Sequence, residues 1–164
     1  MAKVFLSLGS NVNRQQNIRG ALDVLGQTFG TLDVSPVYES ESVGFDGDNF
    51  YNLVVALDTT LAVGNLSQCL KRIERDFGRI HGEKKFCNRT LDIDILTYDD
   101  LVGTIDGVQL PRDEIKHNAF VLWPLENIAA DVIHPQLQCS YGALWDDFDK
   151  LKQKLWVVDL LAAE

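Results

Sequence analysis

The stretch Arg89-Thr90-Leu91-Asp92-Ile93-Asp94-Ile95-Leu96 sets two carboxylates two residues apart inside an apolar run. On a β-strand side chains alternate between faces, so Asp92 and Asp94 share one face while Leu91, Ile93 and Ile95 take the other. Carboxylates placed side by side repel and raise one another's pKa, a tension relieved by open water or a bound cation. Hard divalent cations, Mg²⁺ foremost, are the natural partners. A half-exposed edge strand that happens to carry two Asp on its polar face is the competing reading, and a bare Asp-x-Asp favours it.

What stands upstream shifts the balance. Lys71, Arg72, Arg75, Arg79, Lys84, Lys85 and Arg89 place seven of the fifteen basic residues within nineteen positions. In a chain of formal charge −9, with 24 acidic residues, this is a concentrated anion site. Lys71, Arg72 and Arg75 fit the solvated side of a helix, where pairing with Glu74 or Asp76 is routine. Arg79, His81, Lys84, Lys85 and Arg89 are better placed to meet phosphates beside an Asp-held metal. Carboxylates, metal and cations together make a phosphate-transfer centre. The sequence has no GxxxxGK[ST] loop, GxGxxG fingerprint or HExxH helix, so P-loop, dinucleotide-binding and zincin chemistries lack their usual support. Two aromatic patches remain, Asn49-Phe50-Tyr51-Asn52 and Phe120-Val121-Leu122-Trp123. Core packing accounts for Tyr51 and Trp123, whereas Phe50 and Phe120 with an Asn amide would suit a flat, hydrogen-bonding heterocycle.

These residues need a scaffold that holds them. Lys3 to Leu8 reads as a buried strand stopped by Gly9-Ser10-Asn11. Ile18, Ala21, Leu22 and Leu25 recur at helical spacing, with Asn13 as cap and Gly26 as stop. Thr31 to Tyr38 and Asn52 to Thr59 read as strands around a loop at Val43 to Asn49. Leu66, Leu70, Ile73 and Phe77 mark a second helix ending at Gly78. Leu91 to Tyr98 is a strand, Ala119 to Leu122 a shorter candidate and Leu155 to Leu160 a last one, after a helical pattern in the tail that receives only a structural role. The order β-α-β-β-α-β is the ferredoxin-like signature: an α+β fold, with a helix layer on one face of a mainly antiparallel sheet.

With 164 residues, 46% of them hydrophobic, and no linker or repeat, one domain spanning 1–164 is expected. The negative charge disfavours nucleic-acid and anionic-membrane partners. Cys69, Cys87 and Cys139 are odd in number and without CxxC spacing, which suits a reducing cytoplasm. The first residues form too short an apolar run for a secretory signal, and no other stretch reaches bilayer-crossing length.

Ser7-Leu8-Gly9-Ser10-Asn11, the run Phe50 to Leu57 (FYNLVVAL), the spaced arginines before RTLDIDIL, and FVLWPLENIA from Phe120 to Ala129 together resemble the 6-hydroxymethyl-7,8-dihydropterin pyrophosphokinases of folate synthesis. The resemblance runs from about Val4 to about Pro135. It implies a ferredoxin-like, usually monomeric enzyme that moves the β,γ-diphosphate of ATP onto the pterin hydroxymethyl oxygen, leaving AMP. By position it implies that Asp92 and Asp94 hold two Mg²⁺ ions, that Glu74, Arg79 and Arg89 contact the nucleotide, and that Arg79 and Arg89 act in catalysis with the two Asp. Phe50 and Phe120 would sandwich the pterin, Asn52 would hydrogen-bond its ring, and Ser40 and Val43 would touch it. Loops at Gly9 to Arg14, Val43 to Asn49 and Gly82 to Asn88 would close over substrates.

The chain departs from the family pattern where Arg112 replaces a usual His, Asn118 and His81 each replace a usual Arg, Phe86 replaces Trp, and Glu41-Ser42 replace Pro-Pro. Lys85 and Arg112 are candidate nucleotide contacts, Arg112 as a substitute for the cation missing at Asn118. A non-catalytic pterin- or nucleotide-binding paralogue, or a pyrophosphokinase with an altered acceptor, are the alternatives these departures leave.

Overall fold

Strand β1 (Ala2–Ser10) turns Val4, Leu6 and Leu8 to one face and Phe5, Ser7 and Gly9 to the other, and both faces are covered. The computed structural model describes residues 1–41, 49–78 and 91–160. Helix α1 (Arg14–Phe29) follows, then the short strands β2 (Asp33–Val34) and β3 (Val37–Ser40), the long β4 (Phe50–Thr59), helix α2 (Val63–Asp76) and β5 (Asp92–Tyr98). A hairpin β6 (Gly103–Ile105) and β7 (Val108–Leu110) leads to a 3-10 turn at Asp113–Lys116. Helices α3 (Ala119–Ala129) and α4 (Tyr141–Asp146) and strand β8 (Leu155–Val158) complete the described order.

The main sheet runs β5-β1-β4-β3-β8, with β2 also paired to β4, and every pairing is antiparallel. With β2 and β3 as the two parts of one interrupted strand, β1, α1, β2/β3, β4, α2 and β5 give the β-α-β-β-α-β order expected of a ferredoxin-like α+β fold. On one face Leu6, Leu8, Leu53, Val55, Ile93 and Ile95 meet Ile18, Ala21 and Leu25 of α1 and Leu66, Leu70 and Ile73 of α2. Leu91 joins the same core, as the alternation around Asp92 and Asp94 requires.

The second face corrects the expectation of a single helix layer. Phe5, Val54, Ala56 and Leu96 pack there against Val121, Leu122 and Leu125 of α3 and Tyr141 and Trp145 of α4. Ala119 to Leu122, expected as a strand, is the first turn of α3. An almost unbroken apolar run has no polar side to reveal its period, so strand and fully buried helix read alike. The Pro124 inside the helix makes the run look shorter still.

Three smaller expectations also change. Thr31 to Tyr38 is not one strand: the chain breaks at Ser35-Pro36, where Pro36 has no N–H to give a ladder, and the Ser35 hydroxyl accepts the Val54 N–H at 2.9 Å instead. Helix α1 runs past Gly26 and ends at Gly30, whose φ of 86° suits a residue without Cβ. Asn13 precedes α1 in the left-handed region and caps it through its backbone carbonyl, which accepts the Asn17 N–H, with no side-chain cap bond. Gly78 ends α2 at positive φ, as expected.

Candidate functional site

The C-terminal end of β1 lies between the first residues of β4 and β5. Gly9 pairs with Asn52 on one side and Asp92 on the other, and Ser7 pairs with Asp94. Ser40 of β3 pairs with Phe50 of β4. By strand alternation Asp92, Asp94, Gly9, Phe50, Asn52 and Ser40 all belong to the α3 face, at one end of the sheet. The two carboxylates and the amide patch, forty residues apart in sequence, thus share one surface.

Gly9 is the floor between them. A methyl group there would stand 3.0 Å from Asn52 Oδ1 and 3.9 Å from Phe50 Cδ1. Asn52 is buried, and its Nδ2 donates to Ser40 Oγ at 2.8 Å, which fixes the amide and leaves its oxygen above the glycine. From the opposite face Arg14 braces the same hairpin. Its guanidinium pairs with Glu39 at 3.2 Å, donates to the Asn49 carbonyl and lies 4.1 Å from the Tyr51 ring centroid. Burial alone would raise the Glu39 pKa, but bonds from Asn49, Arg14 and Trp156 outweigh it and hold the carboxyl below its usual range.

Asp94 is a carboxyl whose surroundings disfavour its charge. Burial first, then the negative charges of Asp92, Glu114 and Glu74, push its pKa up to about 7, with Arg112 offsetting only part. Glu74, in the last turn of α2, is 6% exposed and accepts the N–H of Ile93, the residue between the two Asp, at 2.7 Å. In this structure it supports the strand that presents them.

Arg112 docks beside β5 through its backbone N–H, which donates to the Leu96 carbonyl. Its guanidinium grips Glu114 Oε1 from Nε at 3.0 Å and from a terminal nitrogen at 2.7 Å, and stands 3.6 Å from Asp94 Oδ2. Asn118 Nδ2 donates to the other Glu114 oxygen at 3.3 Å. The two positions of departure therefore meet on one carboxylate.

Phe120 sits half-buried in the first turn of α3, against the second core. The start of that helix is held from the tail: Gln153 Oε1 accepts the Ala119 N–H at 2.7 Å, and Gln153 Nε2 donates to Asn118 Oδ1. Trp123 stacks between Tyr38 and Trp145 at ring-centroid distances of 4.5 and 5.2 Å, the packing role expected of it. Val43, Arg79, His81, Lys85, Phe86 and Arg89 lie outside the described residues.

Sequence reasoning placed Gly9 in the turn that stops the first strand and at the start of a substrate-closing loop, whereas β1 runs on through Gly9 to Ser10, and it missed Glu114 and Gln153. A glycine inside an apolar strand does signal close approach of another group, so that approach at Gly9 was findable. Glu114 and Gln153 carry no local signal, because their partners are fixed only by the tertiary fold. Chemically, the surface offers two carboxylates next to a flat, amide-edged floor. Among the described residues no three His, Cys, Asp or Glu side chains converge as a preformed metal cage. A carboxylate pair fits Mg²⁺, which dehydrates reluctantly and completes its shell with water and phosphate oxygens.

Residues 5–130 match the family model described as 7,8-dihydro-6-hydroxymethylpterin-pyrophosphokinase. The chain is 36% identical over 137 residues to the 2-amino-4-hydroxy-6-hydroxymethyldihydropteridine pyrophosphokinase of Aquifex aeolicus, covering 82% of this chain and 85% of that one. The enzyme of the same name from Pseudomonas aeruginosa is also 36% identical, with 81% and 84% covered. The folic acid synthesis protein fol1 of Schizosaccharomyces pombe is 34% identical over 90% of this chain, which spans only 20% of that longer protein. Among solved structures the wild-type HPPK-DHPS of Plasmodium falciparum superposes with a TM-score of 0.70 at 15% identity, over 89% of this chain and 43% of the other.

Proposed function

Because this chain belongs to the 7,8-dihydro-6-hydroxymethylpterin-pyrophosphokinase family, we propose that it transfers the β,γ-pyrophosphoryl group of ATP to the hydroxymethyl oxygen of 6-hydroxymethyl-7,8-dihydropterin. The observation that carries the reading is the shared face on which Gly9 separates Asp92 from Asn52. The pterin lies on that floor, its edge on the Asn52 amide that Ser40 fixes, between Phe50 and Phe120 and in contact with Val43. Its hydroxymethyl arm reaches toward Asp92 and Asp94.

Mg²⁺, two ions in this reading, is held by Asp92 and Asp94 and supplies charge neutralisation for the phosphates and acidity for the attacking hydroxyl. The hydroxymethyl oxygen attacks the β-phosphorus and gives up its proton to solvent, the bond from that phosphorus to the α,β-bridging oxygen breaks, and AMP leaves with the electron pair. No covalent nucleophile of the protein is needed, since such transfers depend on in-line placement and electrostatics. Arg79 and Arg89 stabilise the charge that develops. Glu74, Lys85 and Arg112 complete the nucleotide side. The chain acts as one domain and as a monomer in the cytoplasm, independent of nucleic acid and membranes. None of the described helices is long and apolar enough to cross a membrane.

The test is AMP release from ATP and Mg²⁺ with and without 6-hydroxymethyl-7,8-dihydropterin. Pterin-dependent AMP together with the pterin diphosphate is expected. Pterin binding without AMP would mean a recognition protein on this scaffold, and AMP formation with another alcohol alone would mean a different acceptor.

The raised Asp94 pKa gives a second expected result. A carboxyl whose folded pKa is about 7 against an ordinary 3.8 holds its proton more tightly in the folded state. Its contribution to stability therefore falls as pH rises through that window, until the ionised form stands at full cost above 7. Below pH 7 Asp94 would have to give up that proton to hold Mg²⁺, whereas above it the carboxylate is already ionised. The rise in melting temperature on adding Mg²⁺ should therefore be larger at pH 8 than at pH 6, as followed by scanning calorimetry. Equal rises at both pH values would remove Asp94 from the metal site.

A further inference from the structure

Arg112 is the described cation that faces the carboxylate pair from the β5 edge, and it is held there by a built arrangement. Its backbone is tied to Leu96, its guanidinium is forked on Glu114, and its terminal nitrogen stands 3.6 Å from Asp94 Oδ2. Burial would lower the pKa of the guanidinium, but Asp94 and Glu114 raise it, so it stays charged. The contact with Asp94 is looser than the grip on Glu114, which makes Asp94 the partner it can leave.

We infer that Arg112 is an exchangeable countercation: it offsets part of the Asp94 charge while the site is empty, and passes from Asp94 to phosphate oxygens when the metal-nucleotide arrives, with Glu114 as its fixed pivot. The inference rests on the reading of Asp92 and Asp94 as metal carboxylates. An arginine suits both partners, because its planar fork binds carboxylate and phosphate alike and cannot lose its proton. Arg112 would then oppose free divalent cation and favour the nucleotide-bound one, biasing the site against filling with metal alone. Asn118 shares the pivot through the second Glu114 oxygen. A neutral amide there leaves Glu114 to a single arginine, whereas a second cation would compete for it.

Two binding measurements by titration calorimetry at pH 8 test this. One uses Mn²⁺ alone, the other a non-hydrolysable ATP analogue in excess Mg²⁺. Removing an opposite charge close to a carboxylate changes its hold on a cation by about tenfold or more. Arg112→Gln should thus bind Mn²⁺ about tenfold tighter and the Mg²⁺-analogue about tenfold more weakly. Arg112→Lys, which keeps the charge, should stay within about threefold of the parent for Mn²⁺, below the tenfold step expected of a lost charge. Mn²⁺ binding that is unchanged or weaker in a folded Gln variant would overturn the inference, as would a Lys variant that tightens as much as Gln. Neither measurement involves pterin, so these shifts stand or fall separately from the failure of AMP release.

Discussion

Asp94→Asn is expected to lower the rate of pterin-dependent AMP release by about a thousandfold or more and to leave the protein as stable as before, or more so. Asn keeps the size of the carboxylate while removing its charge and putting an NH2 donor in place of one acceptor oxygen. A metal-held phosphate centre draws several kcal/mol of transition-state stabilisation from its ions, and each ~1.4 kcal/mol is a factor of ten in rate. Stability moves the other way. Burial, Asp92, Glu114 and Glu74 all disfavour the Asp94 charge, and Arg112 offsets them only in part. Since 36% of the side chain is exposed, water screens part of that cost and the gain should be modest. Melting in EDTA at pH 8, where the parent carboxylate is ionised, should show the variant equal or higher. A variant that turns over normally, with ordinary Mg²⁺ dependence, would end the metal assignment. One that melts far lower would mean that Asp94 serves the fold. The expected pattern, activity lost and stability kept, is that of a residue held against its own electrostatic preference for the sake of chemistry.

The same residue shows what a sequence can disclose. The shared face of Asp92 and Asp94 was legible because strand alternation is local: Leu91, Ile93 and Ile95 each give the apolar beat that fixes the other side. The ferredoxin-like order was legible for similar reasons, since α1 and α2 each expose a polar side to water and so print a helical period. Helix α3 lies against the other sheet face and leaves no such period. The second layer was missed for that reason, and with it the fact that Asp94 and Asn52 face α3. Arg112 was singled out as a departure, but its grip on Glu114 depends on how the segment after β7 returns to Leu96. The tail received only a structural role, although Gln153 holds the start of α3 just before Phe120.

Gly9→Val carries the other large effect, through a residue with no chemistry of its own. A glycine within a strand is ordinarily a weakness, and a β-branched residue there is favoured by up to about 1 kcal/mol. At this position the first carbon of the new side chain would already lie 3.0 Å from Asn52 Oδ1, and the two methyls beyond it would enter the space above the floor. Asn52 cannot retreat freely, since moving its amide breaks the bond to Ser40 within a buried site. An unmet buried polar group costs about 1–3 kcal/mol, which outweighs the strand preference. Stability should therefore fall by up to about 2 kcal/mol, while a flat ring loses both its seat and the aim of the amide. Misplacement by about 1 Å costs on the order of a hundredfold in rate, and kcat/KM for the pterin should fall by that factor. Affinity for the Mg²⁺-bound ATP analogue should hold, because the substitution lies on the amide side of β1. Gly26→Ala is the control: it adds the same first carbon in α1, where the nearest atom beyond the helix's own backbone and its chain neighbours is Leu32 Cδ1 at 4.0 Å, and it should raise stability slightly with no change in turnover. If Gly9→Val binds the pterin as the parent does, by quenching of pterin fluorescence, the ring does not lie on that floor. The substrate side of the site would then have to be sought elsewhere on the α3 face.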